Sequence, residues 1–95
     1  MAKIRRLVLD ILIPHATDVL KMSEQLADLE SVEAVNTMIE EMDKHTINVK
    51  VTMQGSSLNY NEIEKSITAF GGSVHSLDNV VAGKYIVEDV ETPQD

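Results

Sequence analysis

The feature that most narrows the possible folds is a repeat inside the chain. Leu7, Leu9 and Ile11 recur as Val49, Val51 and Met53 at an offset of 42 residues. Val19, Met22, Leu26 and Leu29 recur as Tyr60, Ile63, Ile67 and Phe70 at an offset of 41, and Val32 recurs as Val74 at 42. The first set alternates with a period of two and marks strands; the second steps by three, four and three and marks amphipathic helices. Each half therefore reads strand, helix, strand, and the chain reads β-α-β-β-α-β. Right-handed crossovers put both helices on one side of the sheet. The expected fold is α+β, a ferredoxin-like sandwich with two helices on one face of a four-stranded antiparallel sheet of order 4-1-3-2.

Local signals agree with that plan. Pro14 ends the first strand, Thr17 or Asp18 can cap the first helix, and Asn59 with Glu62 has capping-box spacing before the second. Gly71 and Gly72 follow that helix where a left-handed cap favours glycine. The second strand, around Val32 to Met42, alternates less cleanly and invites a bulge. A turn at Ala82-Gly83-Lys84 leads to "YIVEDV", a candidate short C-terminal strand that extends the hairpin or reaches a neighbour's sheet edge, and a polar tail over about residues 89–95. At 95 residues the length suits one domain, residues 1–95.

Composition removes several functions. The chain has no cysteine, which excludes thiolate catalysis, disulfides and Cys-ligated zinc or iron–sulfur centres and suits a reducing cytoplasm. Net charge is −8, and residues 7–95 hold 5 basic against 16 acidic residues. Such a surface repels phosphate backbones, so neither nucleic acid nor an anionic membrane is an expected partner. The opening "MAKIRRLVLDILIP" is broken by Asp10 and reads as a strand rather than a signal peptide. With 3% aromatic residues, and none on the central strands, the sheet lacks the stacking platform of RNA-binding relatives of this fold. The loop "PHAT" lacks the CxxC of metallochaperones. No activated nucleophile, phosphate-cradling loop or carboxylate pair in a recognisable cleft is present, and the chain reads as a non-enzyme.

Candidate chemistry gathers on the face the helices leave open. There Arg6, Val8, Asp10 and Leu12 alternate on the first strand, and Thr46, Asn48, Lys50 and Thr52 on the third. Val8 and Leu12 are apolar where water is expected, which fits a subunit interface as well as scattered surface aliphatics. Period-two geometry places Glu41 and Asp43 on one face and Glu40 on the other. Glu41 or Asp43 then reaches towards Asn48 and Asp10, an oxygen set that suits Ca²⁺ or Mg²⁺ better than Zn²⁺. The competing reading is a solvated strand end neutralised by Lys44 and Lys50. His75 and Asp78 fall on opposite faces of a regular strand and share an ion only across a bulge. With Leu77 and Val81 inward His75 turns in; with Val74 and Val80 inward it is free. Asp10, Glu41, Asp43 and Asn48 are the leading metal-site candidates, with Asp78 and His75 behind them.

The run "GGSVHSLDNVVAGK", with "LVLDILIPH" and "NVKVTMQG", resembles an uncharacterised archaeal family catalogued as a domain of unknown function (number 211). The resemblance covers nearly the whole chain, including "TPQD", and matches at Asp10, Pro14, Asn36, Glu41, Asp43, Asn48, Gln54, Gly55, Gly71, Gly72, His75, Ser76, Asp78 and Gly83. It implies a ferredoxin-like fold, a cytoplasmic archaeal setting and homo-oligomers, and it transfers no activity or ligand role. The functional expectation is a non-enzymatic homo-oligomer binding a divalent cation or small ligand at acidic positions. The alternatives are an effector-sensing regulatory domain and a purely structural assembly partner.

Overall fold

A computed structural model describes residues 2–88. Its elements are β1 (Ile4–Pro14), α1 (Val19–Ala27), β2 (Ala34–Met42), β3 (Thr46–Gln54), α2 (Tyr60–Ala69) and β4 (Ser73–Ala82). The strands form one sheet in the order β2-β3-β1-β4, every pairing antiparallel. Read from the other edge this is the 4-1-3-2 order the repeat implies. The fold is ferredoxin-like.

Alternation sorts the central strands. Leu7, Leu9, Ile11 and Ile13 of β1 and Ile47, Val49, Val51 and Met53 of β3 are buried, packed with Met22, Leu26, Ile63 and Ile67 of the helices. Cross-strand neighbours share a face, so Leu9 beside Val51 and Ile11 beside Val49 make one apolar surface for the helices. Both helices begin as the sequence suggests. The Asp18 side chain accepts from the Lys21 N–H, and that of Asn59 from the Glu62 N–H, each satisfying a donor the helix itself cannot. Gly71 follows α2 at φ 78°, a conformation that penalises any side chain.

The edge strands depart from simple alternation. In β2 the register slips between Ile39 and Glu41, so Glu40 is an extra residue. In β4 it slips twice, pairing Leu7, Leu9 and Ile11 with Val80, Leu77 and Val74. Asp78 and His75 are the two unpaired extras. Val74, Leu77 and Val80 therefore share the helix-side face, the arrangement that leaves His75 free.

One expectation fails. Residues 85–88 form no strand, and the rest of the proposed strand and the tail lies outside the described residues. The chain turns at Gly83, where φ is 133°, and Glu88 meets Arg6 with Oε1···Nη2 at 2.9 Å and Oε2···Nη1 at 3.2 Å. Arg6 also donates through Nε and Nη2 to the Gln54 amide oxygen, at 3.0 and 2.9 Å. The Arg6 guanidinium holds the exposed Glu88 carboxyl below its ordinary range. A segment that folds back to a cation on the sheet face gives up the ladder that a fifth strand needs.

Candidate functional site

The open face carries a pocket of about 430 Å³ at the end of the sheet where β1 finishes and β3 begins. Asp10 and Leu12 supply its floor from β1, Thr46 and Asn48 from β3, Glu41, Met42 and Asp43 one wall, and His75 the other. Five of the six residues singled out in the sequence are thus brought together. The sixth, Asp78, lies in a separate depression with Arg6, Val8, Lys50, Thr52 and Asn79.

Asp10 and Asn48 form the centre of the pocket. Asn48 Nδ2 donates to Asp10 Oδ1 at 2.5 Å, and both side chains are half-buried. Antiparallel pairing sets Leu12 beside Asn48 and Asp10 beside Lys50, so the two side chains meet diagonally on the open face. That bond uses one carboxylate oxygen and the amide nitrogen. Asp10 Oδ2 and the Asn48 carbonyl oxygen are left as acceptors. Glu41 stands directly across from Asn48 on β2 because the bulge at Glu40 shifts the strand by one residue.

The bulge also corrects the assignment of faces at the acidic run. Glu40 reaches the open side after all, since its Oε1 lies 3.9 Å from Lys50 Nζ. Lys50 meets Asp78 Oδ2 as well, at 4.0 Å, so one lysine neutralises the carboxylates flanking the pocket. Among the described residues, Asp10 and Glu41 have no ion-pair partner.

Asp43 has a different duty from the one its position suggests. Its Oδ1 accepts from the backbone N–H groups of His45 and Thr46, both at 2.8 Å, closing the turn between β2 and β3. These two bonds hold its carboxyl below the ordinary range, the Thr46 bond first, so the turn keeps its anchor until the pH falls through that lowered value. The Asp43 carbonyl oxygen receives His15 Nδ1 at 2.6 Å. Asp43 shapes the rim while Asp10, Asn48 and Glu41 hold the free acceptors.

His75 and Asp78 both face the open side, each as the spare residue of a bulge, yet they enter different depressions. Asp78 also accepts from Ser76 Oγ at 2.7 Å. No three His, Cys, Asp or Glu side chains among the described residues are grouped closely enough to hold a metal by themselves. The donor set is two carboxylates and an amide oxygen, which suits a cation that retains part of its water shell. Sequence reasoning placed Thr46 on the open face without assigning it to the site and missed Met42 as a lining residue, which sits beside the Asp43 turn.

Fold and face together define a small ferredoxin-like domain with an acidic pocket on its helix-free side. The chain belongs to the uncharacterised ArCR family, domain of unknown function 211, whose model matches residues 5–95. It is 50% identical over 95 residues to an uncharacterised protein of the archaeon Methanocaldococcus jannaschii, covering 100% of this chain and 98% of that relative. No helix among the described residues is long and apolar enough to cross a membrane.

Proposed function

We propose that this is a non-enzymatic, homo-oligomeric cytoplasmic protein whose open sheet face binds a hard divalent cation, Mg²⁺ or Ca²⁺, at Asp10, Asn48 and Glu41. The observation that carries the reading is the Asp10–Asn48 pair. Its hydrogen bond orders two side chains before any ligand arrives and leaves one oxygen of each as an acceptor in a pocket where, among the described residues, Asp10 and Glu41 have no ion-pair partner. Preordering lowers the entropy lost on binding, and water completes the coordination of an ion that dehydrates reluctantly. Zn²⁺ prefers imidazole and thiolate, and among the described residues His75 is the only imidazole lining the pocket.

Thermal unfolding tests this reading. A cation at ten times its Kd stabilises the native state by about 1.4 kcal/mol, which raises the midpoint of a domain this size by roughly 6 to 11 °C. Mg²⁺ or Ca²⁺ added to chelator-treated protein is expected to produce a saturating rise that Asp10→Asn abolishes. No rise with either ion would contradict the proposal.

A pocket of about 430 Å³ falls within the size range of small-molecule sites, which favours the effector-sensing reading as the second choice. It predicts a change of assembly with solute instead of a cation-dependent midpoint. A purely structural partner would show neither.

A further inference from the structure

We infer that a second ligand site lies at the far end of the sheet, where Arg5, Lys3 and Lys84 bind the phosphoryl group of a small molecule. The site stands apart from the cation pocket and from any assembly of copies. Ala2, Lys3 and Arg5 near the start of β1 and Gly83 and Lys84 after β4 line a pocket of about 570 Å³. The Gly83 N–H donates to the Lys3 carbonyl at 2.8 Å, which ties the turn after β4 to the start of β1 and brings both lysines to one pocket.

The charges gathered here run against the rest of the chain. With Arg6 on the opposite face they are half of the 8 basic residues in a chain of net charge −8. The chain holds 16 acidic residues to neutralise them, yet Lys3, Arg5 and Lys84 have no ion-pair partner among the described residues. Three cations around one pocket repel one another, and an anion between them relieves that repulsion. Glu33 shares Ser56 with Arg5 without pairing with it: Glu33 Oε2 accepts from the Ser56 N–H at 3.0 Å, while Arg5 Nη1 donates to the Ser56 carbonyl at 3.3 Å. The acidic pocket is remote. At the rise of a β-strand, Arg5 and Asp10 are about 17 Å apart along β1, roughly twice the screening length at physiological salt.

Arg5 gives the pocket its chemistry. The side chain is half-buried, and Ser56 engages Nη1. Nε is closed off from water without a hydrogen-bond partner, and Nη2 has none among the described residues. An unmet buried donor is costly enough to be rare in native proteins. The Nε–Nη2 edge presents two parallel N–H groups, the geometry that holds two oxygens of an oxyanion, and a small rotation of the side chain turns it to the pocket it lines. Two phosphoryl oxygens can meet this edge while the third faces the lysines; a planar carboxylate is used up by the fork. A nucleic-acid strand is not the partner, because its further phosphates would run over the acidic remainder of the surface.

Calorimetric titration of the full chain with pyrophosphate, in about 0.15 M salt free of divalent cations, tests the site. Wild type is expected to bind one pyrophosphate per chain with a Kd below about 1 mM. Arg5→Gln and Lys84→Gln are each expected to weaken binding at least about tenfold, and Lys65→Gln, on α2 and outside the pocket, to leave it unchanged. Circular dichroism checks folding, and Lys84 is exposed on its turn, so Lys84→Gln keeps the test decisive should Arg5→Gln unfold. No binding at about 10 mM pyrophosphate, an unchanged Kd in Lys84→Gln or in folded Arg5→Gln, an equal loss in Lys65→Gln, or citrate binding as tightly as pyrophosphate would each overturn the phosphoryl site.

Discussion

Ile11→Ala is expected to destabilise the protein by about 4 kcal/mol, against about 1 kcal/mol or less for Leu12→Ala one residue further along β1. Ile11 is fully buried, flanked by Val49 and Val74 in neighbouring strands and capped by the helices. Its truncation forfeits the transfer free energy of the lost methylenes and leaves a cavity that rigid strands on both sides cannot close, a loss that typically runs to about 2–5 kcal/mol. Leu12 stands on the other face, on the floor of the open pocket, where solvent fills the space vacated. Stability of a domain this small is of the order of 5–15 kcal/mol, so the first change removes a large share of it. Urea titration reads the effect as a fall in midpoint at constant m; similar losses at the two positions would contradict the assignment of faces.

Gly55→Ala has the second largest expected effect, about 3 kcal/mol. An added Cβ would lie 2.3 Å from the Ser31 carbonyl oxygen and 3.0 Å from Leu58 Cδ2. Neither side yields cheaply. The Gly55 N–H is bound to the Arg5 carbonyl at 3.1 Å, and Leu58 is tied to the Ile4 carbonyl at 2.9 Å. On the far side, Ser31 Oγ donates to Glu62 and accepts from the Asn59 N–H, linking the loop before β2 to the start of α2. Thermal unfolding should show a drop of at least 10 °C. A loss under about 1 kcal/mol would mean that the loop around Ser31 moves aside.

What the sequence made legible is the part governed by regular periods. The alternation of Leu7 to Ile13 and of Ile47 to Met53 placed both central strands and both of their faces, and from them Asp10 and Asn48 on the helix-free side. The helices followed from the spacing of Met22, Leu26, Ile63 and Ile67 and from their cap candidates, Thr17 or Asp18 for the first and Asn59 for the second, of which the structure uses Asp18 and Asn59. What periodicity concealed are the bulges. In "VHSLDNV" the apolar residues recur every third position, because each of His75 and Asp78 is an extra residue that lets two polar neighbours turn outward before the next apolar one turns in. A period of two cannot represent this, and it left the orientation of His75 open. The same effect reversed the reading of Glu40, and only the register shows Lys50 drawing Glu40 and Asp78 away from the pocket. Asp43 was legible as an acid and not as a turn cap, since its partners are backbone N–H groups that carry no residue signature. The run "YIVEDV" after the Gly83 turn suggested a short strand over residues 85–90, but residues 85–88 instead lead back to the bond between Glu88 and Arg6.

The most direct measurement is a titration of isotopically labelled protein with Mg²⁺ or Ca²⁺, following the side-chain amide resonances of Asn48 by NMR. Coordination at the Asn48 oxygen polarises its amide and disturbs the bond to Asp10, so both N–H signals should move and saturate, and should stay still in Asp10→Asn. Signals that hold their positions through millimolar cation would show that the paired side chains on the open sheet serve the fold alone.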